Sequence, residues 1–465
     1  MHAARRALGA AGLLVGLGCG TDDAIAPEPP AAPEILTFAV AGNPENVLSA
    51  VVTVRVRLAD SVAVRYGPGL TSDSVTPAAL PAGDSAIVPI LGLLPATPYA
   101  LRVVAYGGGG QAVFGTPYAF TTDTLPSDLP RYVAGGSDPA PGYVVFATGR
   151  YGVVIDNTGR VVWYRRFPTP VGLNFQAQPT GRYTVRPPTA DPLGPWYEID
   201  PLGHVTRTFG CAHGLVARFH DLIAEPGGAY WVMCDDTRTM DLSGVGGVAD
   251  AQVTGTVVQH VSATGGVLFE WNPFDHFQIT DLDSAGRAGA SVNWTHGNAL
   301  DLDADGNLLI SFRSLSEITK IDTRSGAVVW RMGGLRNQFT FLDAPTPGFA
   351  RQHGLRVTGP GRIALLDNLG DAAGSRAERY VYNETARTAR LVGSYGPNPG
   401  VVALLGGTTQ DLPGGHTLVA FGNGDRVEEY DASGTMVWHI EGAPGYIFRA
   451  QRIGSLYSPG VGLPR

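Results

Sequence analysis

Residues 51–58, VVTVRVRL, alternate apolar and polar side chains, the period-two pattern of a half-buried strand. From about residue 131 a different pattern takes over: short apolar runs come in pairs around a glycine turn, and the pair recurs. It reads VVIDNTGRVVWYRRF (153–167), WYEIDPLGHVTRTFG (196–210), VVQHVSATGGVLFEWN (257–272), ITKIDTRSGAVVWRMG (318–333), YVYNETARTARLVGSYG (380–396) and VEEYDASGTMVWHIEG (427–442). Most copies place Asp or a small polar residue before the glycine, which is hairpin chemistry. Further glycine-punctuated strands lie between the copies. About four strands per unit and six units predict an all-β chain with a six-bladed β-propeller over 131–465.

Three of the intervening strands share a slot. His220 opens HDLIAEPGGAYWVMCDD, His296 opens HGNALDLDADGNLLISFR, and His353 lies in QHGLRVTGPGRIALLDN. A turn glycine (Gly228, Gly306, Gly361) follows each histidine after eight to ten residues, and a short apolar strand follows that. Equivalent positions in a rotationally repeated fold point at one axis, so three imidazoles are expected to converge at a channel mouth. A lone His at a strand start is more often structural; three in one slot favour a site.

Residues 34–124 are also all-β but carry no copy of the repeat. The stretch Leu94-Pro95-Ala96-Thr97-Pro98-Tyr99 resembles the tyrosine-corner region of fibronectin type III domains. That resemblance implies a β-sandwich with a spacer role, and no residue in it looks chemical. Upstream, Arg5 and Arg6 precede the short apolar stretch ALGAAGLLVGLG (7–18) and Cys19, a pattern that suits an export signal. The stretch is similar to a bacterial lipobox, with Leu17 one place nearer the cysteine than usual. The resemblance implies lipidation of Cys19, a signal over 1–19, a Pro/Ala-rich tether over 20–33, and attachment to the bacterial cell envelope through lipid alone. A soluble exported protein is the alternative. Cys211 and Cys234 are open to two readings, a disulfide or a pair of buried thiols.

Composition narrows the partners. Net charge is -8 with no basic cluster, which argues against nucleic acid. Lys320 is the only lysine, so no G-x-x-x-x-G-K-[ST] phosphate loop exists. Asp301, Asp303, Asp305 and Gly306 imitate the start of a calcium loop, but Phe312 stands at the twelfth position, where that loop needs Glu, and a hairpin turn is the better reading. His416, in PGGHTLVAF, reads as an ordinary strand residue, and the sequon Asn293-Trp294-Thr295 means little in a lipobox-bearing chain.

The string WTHGNALDLDADGNLLISFRSLSEITKID (294–322), followed by RQHGLRVTGPGRIALLDN (351–368), resembles the bacterial arylsulfate sulfotransferases, as do HDLIAEPGG at 220 and the D-x-x-G-x-V-x-W hairpins. The resemblance spans roughly 131–445. It implies sulfuryl transfer from an aryl sulfate donor to a phenolic acceptor, without phosphoadenylyl sulfate and with no cofactor or metal. By motif, His353 is the nucleophile that becomes a sulfohistidine, and His296 and Asn298 form an H-x-N element. Arg313 is the strand-end arginine and His220 belongs to the earlier H-D element. Gly354 stands where that family often has an acidic residue. Such a mechanism needs a neutral nucleophile and fixed donors for the sulfuryl oxygens, here expected from Arg313, His296 and Asn298. His220 is left as acid and base. Two rival readings remain: a transition metal held by the three histidines in a hydrolase or lyase, and a non-catalytic binding propeller on a stalk.

Overall fold

A computed structural model describes residues 31–69, 71, 73–169, 174–187, 194–345 and 348–462. The expected signal, Cys19 and nearly all of the tether lie outside the described residues.

The N-terminal strands form two packed sheets. Glu34–Gly42, Ser49–Arg57 and Ser85–Leu91 make one; Ser74–Val75, Ser61–Pro68, Pro98–Gly107 and Gln111–Phe114 make the other, with Tyr118–Thr121 also on Pro98–Gly107. The alternation in the sequence sets the faces. Val52, Val54 and Val56 are buried between the sheets, while Thr53, Arg55 and Arg57 face solvent. The Tyr99 hydroxyl accepts from the Leu94 amide at 2.7 Å. This unit is seated on the rest of the chain: Asn43 Nδ2 donates to the Leu202 carbonyl (2.7 Å), Arg165 pairs with Glu45, and the Leu91 amide donates to the Tyr457 hydroxyl (3.2 Å).

Six sheets with antiparallel four-stranded cores follow among the described residues, in a propeller-like arrangement; Ser291–Asn293 and Thr340–Leu342 add to two of them in parallel. Each of the six recurring hairpins is the third and fourth strand of its sheet, counted outward, as in Val427–Tyr430 with Met436–Ile440. The turns work as their residues predict. Asp156 Oδ1 accepts from the amides of Thr158 and Arg160, and Gly159 adopts φ +90°, a conformation that costs glycine little. The tryptophan that closes a hairpin reaches its neighbour: Trp163 Nε1 donates to the Pro201 carbonyl of the next sheet, and Trp438 Nε1 to the Asn157 carbonyl of the first. A buried indole thus contributes apolar area and a satisfied hydrogen bond at each of these two sheet junctions.

The inner strands are Phe175–Ala177, Val216–Ala224, Gly297–Leu302, His353–Gly359, Thr408–Asp411 and Ala450–Ile453. Each packs against the next, and Gln176 and Gln178 complete the ring by donating to the Leu222 carbonyl. Segments from the two ends of the repeat region close it. Ala450–Ile453 supplies the inner strand of the sheet begun by Tyr143–Thr148, and Ala134–Gly136 adds to the outer edge of the last sheet.

Candidate active site

His220, His296 and His353 come from three consecutive inner strands and do converge. Ring centroids of His220 and His296 are 5.0 Å apart, and those of His296 and His353 are 6.3 Å apart. Phe448 stands beside two of them, 5.8 Å from His220 and 6.3 Å from His353.

Each of the three strands is bulged where it meets the site. Ala217 pairs with Cys234 and Leu222 with Val232, so residues 218–221 oppose Met233 alone. The pairing slips again between Gly297 and Ala299, and between His353 and Arg356. A bulge turns side chains out of the sheet's alternation, which lets neighbouring residues enter the same space. Gly354 belongs to the third bulge with φ +64°, and a Cβ there would lie 2.7 Å from Thr408 Cα. An acidic side chain does not fit, which explains the glycine at this position.

His353 is oriented by a residue the sequence reading passed over. Its Nδ1 lies 2.8 Å from Asn368 Oδ1. Asn368 Nδ2 donates to the carbonyls of Ala403 (2.7 Å) and Gly406 (3.0 Å), so its oxygen must face the imidazole. An oxygen acceptor places the proton on Nδ1 and leaves the lone pair on Nε2. Burial, aided by the Arg313 charge and opposed by Asn368, pushes the His353 pKa down to about 4. The ring is therefore neutral at physiological pH.

The other two imidazoles are set the opposite way. Arg218 Nε donates to His220 Nδ1 at 3.3 Å, and Arg218 is itself held by Asp235. Asn293 Nδ2 lies 2.8 Å from His296 Nδ1. A donor at Nδ1 leaves the proton on Nε2. Burial, then the Arg218 charge, hold both well below the ordinary histidine pKa. His220 is thus a neutral N–H donor. An imidazole whose Nδ1 already accepts from a guanidinium presents its Nε2–H rather than a lone pair, and its desolvated cation is disfavoured.

His296 and Arg313 are fixed together, because the Arg313 amide donates to the His296 carbonyl at 3.0 Å and His296 adopts φ +48°. Arg313 donates to the Leu404 carbonyl (3.0 Å) and makes no ion pair with a carboxylate among the described residues. Burial lowers its pKa, which stays far above neutrality for a guanidinium. Asn298 Nδ2 donates to the Gln352 carbonyl at 2.7 Å, which ties the His296 strand to the His353 strand, and its Oδ1 has no hydrogen-bond partner among the described residues.

Below this layer Asp221 is buried, paired with Arg356 (2.9 Å) and Arg449 (3.3 Å), and its oxygens accept from the Leu222 and Leu300 amides. Cys211 and Cys234 form a disulfide, and Cys234 precedes the Asp235 that holds Arg218. Asp303 and Asp305 gather with Glu384 around Lys320, whose ammonium fills the space a cation would take, so the hairpin reading of that segment stands. His416 Nδ1 donates to Glu429 Oε1 at 2.7 Å and takes no part in the contacts of the three histidines. Asn368, Arg218 and Phe448 were not singled out in the sequence; only the "LLDN" end of the His353 segment pointed toward the first of them.

An all-β chain that presents an imidazole lone pair beside imidazole N–H donors and a guanidinium with no carboxylate partner among the described residues offers a nucleophile and fixed donors for an anionic group. The chain belongs to the arylsulfotransferase (ASST) family, whose model matches residues 211–443, so it is a sulfotransferase at the level of the family. No curated protein matches the chain. Among solved structures, a protein of unknown function from Bacteroides caccae is 14% identical over 67% of this chain and 98% of its own, with a TM-score of 0.43. Virginiamycin B lyase from Staphylococcus aureus, solved with quinupristin as an inactive variant, is 10% identical over 87% of this chain and 99% of its own, with a TM-score of 0.36. Both likenesses are too distant to bear on activity.

Proposed function

We propose that the chain is an arylsulfate sulfotransferase that moves a sulfuryl group from a phenolic sulfate ester to a phenol through a sulfohistidine on His353. The observation that carries this reading is the Asn368 contact, which leaves Nε2 of a neutral, buried imidazole as the free nucleophile. In the first half, Nε2 attacks sulfur, the S–O bond to the ring breaks, and the phenolate leaves. The Nδ1 proton stays toward Asn368. Arg313 and the N–H groups of His220 and His296 stabilise the sulfuryl oxygens and the departing phenolate. In the second half, an acceptor phenolate attacks the sulfur and releases neutral His353. Two half-reactions through one enzyme form require ping-pong kinetics.

The acceptor enters as its phenolate, since His220 is a donor rather than a base. More acidic phenols are therefore the better acceptors near neutral pH. The six sheets are read as the blades of a six-bladed propeller, and residues 34–124 as a fibronectin type III-like spacer, a reading the Tyr99–Leu94 contact supports. Export is supported by the disulfide, which suits an oxidising compartment. Lipidation of Cys19 would anchor the enzyme to the bacterial envelope.

The test uses a chromogenic aryl sulfate with a phenol acceptor. Transfer is expected, and brief exposure to donor alone should leave a sulfuryl group on His353, found by mass spectrometry under alkaline conditions. Stoichiometric zinc, copper or iron in active protein, or full activity in His353→Ala, would sink the assignment.

A further inference from the structure

Behind Asn368 lies a pair of buried carboxyl groups that the transfer chemistry does not use. Asp367 ends the strand Arg362–Asp367, and Glu378 lies on the neighbouring strand Arg376–Asn383. Leu365 pairs with Glu378 and Asp367 with Arg376, which puts Asp367 diagonal to Glu378 on one face of the sheet. Both side chains are fully buried. Each has one oxygen supplied with donors and one without. Asp367 Oδ1 accepts from the amides of Ala350 and Gly370, both at 2.8 Å, and Glu378 Oε2 accepts from the Tyr380 hydroxyl at 2.7 Å. Asp367 Oδ2 and Glu378 Oε1 have no donor among the described residues.

We propose that one proton is shared between Asp367 Oδ2 and Glu378 Oε1, and that this closed carboxyl pair is a positioning device for His353. Two carboxyl groups on one buried face cannot both ionise cheaply, and a single proton satisfies both orphaned oxygens. Of the other groups facing the pair, the Arg376 charge opposes the rise without cancelling it. Arg376 turns to the Ser394 side chain and carbonyl, Tyr380 donates to the far oxygen of Glu378, and Asp371 adds negative charge. The device reaches the site through the backbone. Asp367 adjoins Asn368, its Oδ1 holds the Ala350 amide three residues before His353, and the Leu369 amide donates to the Ala350 carbonyl at 3.0 Å. Asp367 therefore staples the segment that carries His353 to the segment that carries Asn368.

The pH dependence follows. Burial first, then the Asp367 charge, push the Glu378 pKa up to about 8, and burial raises Asp367 to about 6. A carboxyl group whose pKa is raised on folding stabilises the fold at pH values below its unfolded value, and that contribution is lost as pH rises through about 8. Once the proton leaves, two adjacent negative charges loosen the staple and the Asn368–His353 contact with it.

The experiment is a thermal-denaturation series on the intact protein between about pH 6 and about pH 9.5. The wild type should lose Tm as pH rises from about 6 to about 8 and level off above that. Glu378→Gln should hold level, because an amide N–H replaces the proton and does not dissociate. Parallel curves for the two proteins would overturn the proposal. Should Glu378→Gln not fold, the wild type's infrared spectrum decides alone: a protonated carboxylic-acid carbonyl band at neutral pH that vanishes on the alkaline side supports the pair, and its absence overturns it. The catalytic consequence rests on the proposed role of His353. There, kcat should fall several-fold on the alkaline side in the wild type and not in Glu378→Gln. A Tm difference in a protein with no transfer activity would remove the sulfotransferase reading and keep the shared proton.

Discussion

The corners that hold His353 and His220 are built from the same parts and turned to opposite ends. Both imidazoles sit in bulged inner strands, both are buried, and both are held neutral by desolvation. The difference is one atom at Nδ1. An amide oxygen faces His353 and a guanidinium N–H faces His220. That atom decides which ring offers a lone pair and which offers a proton, so equivalence of slot does not imply equivalence of role.

Removing the proposed nucleophile breaks the comparison most severely. His353→Ala should lower kcat by roughly four orders of magnitude or more, and donor alone should then leave no sulfuryl group on the protein. His220→Ala should cost less, on the order of a hundredfold, because it deletes one donor from a set. A His220→Ala variant as inactive as His353→Ala would dissolve the distinction drawn between the corners.

Exchanging the atom at Nδ1 sharpens it. The wild-type acid limb should lie near pH 4, since activity is lost when His353 takes a proton there. Asn368→Asp puts a charge beside Nδ1, stabilises the imidazolium, and should move that limb upward toward the ordinary histidine value. A pH–rate profile unchanged by this variant would separate Asn368 from the chemistry. Arg218→Met should have a smaller effect, about tenfold, and should fall mainly on donors whose phenols are poor leaving groups, as the proposed contact of His220 N–H with the departing phenolate requires. Equal losses for good and poor leaving groups would move His220 away from the leaving oxygen.

The smallest effect concerns the backbone that makes the His353 corner. Gly354→Ala forces a Cβ to 2.7 Å from Thr408 Cα at φ +64°, and should cost about 2 kcal/mol of stability, read as a lowered Tm. The same change at Gly214, where φ is +72° and no atom lies within 4 Å, should cost less.

Much of the architecture was legible from residue order. The six hairpins fall where the repeat places them, and Val52, Val54 and Val56 face inward as their alternation requires. Periodicity and turn residues are local signals, so a single sequence carries them. The convergence of His220, His296 and His353 was legible too, because a rotational repeat maps one slot onto one axis. Asn368, Arg218 and Phe448 were not, since each enters the site by a bulge, a strand end or a segment from the far side of the ring. The spacing of Asn298 from His296 is plain in the chain, but the Gln352 carbonyl that takes its N–H comes from the next sheet and was not legible.

The sequence by itself determined an all-β fold, a repeating hairpin unit, three histidines in one slot and a glycine after the third. Tertiary structure alone decided that Ala450–Ile453 returns to close the first sheet, and that Gly354 is glycine because Thr408 leaves no room. It also decided that Asn368 aims His353 while Arg218 caps His220. The physical reason is range. Strand patterning and turns are set by neighbours a few residues apart, whereas a tautomer is set by whichever donor or acceptor the folded chain brings within about 3 Å of one nitrogen.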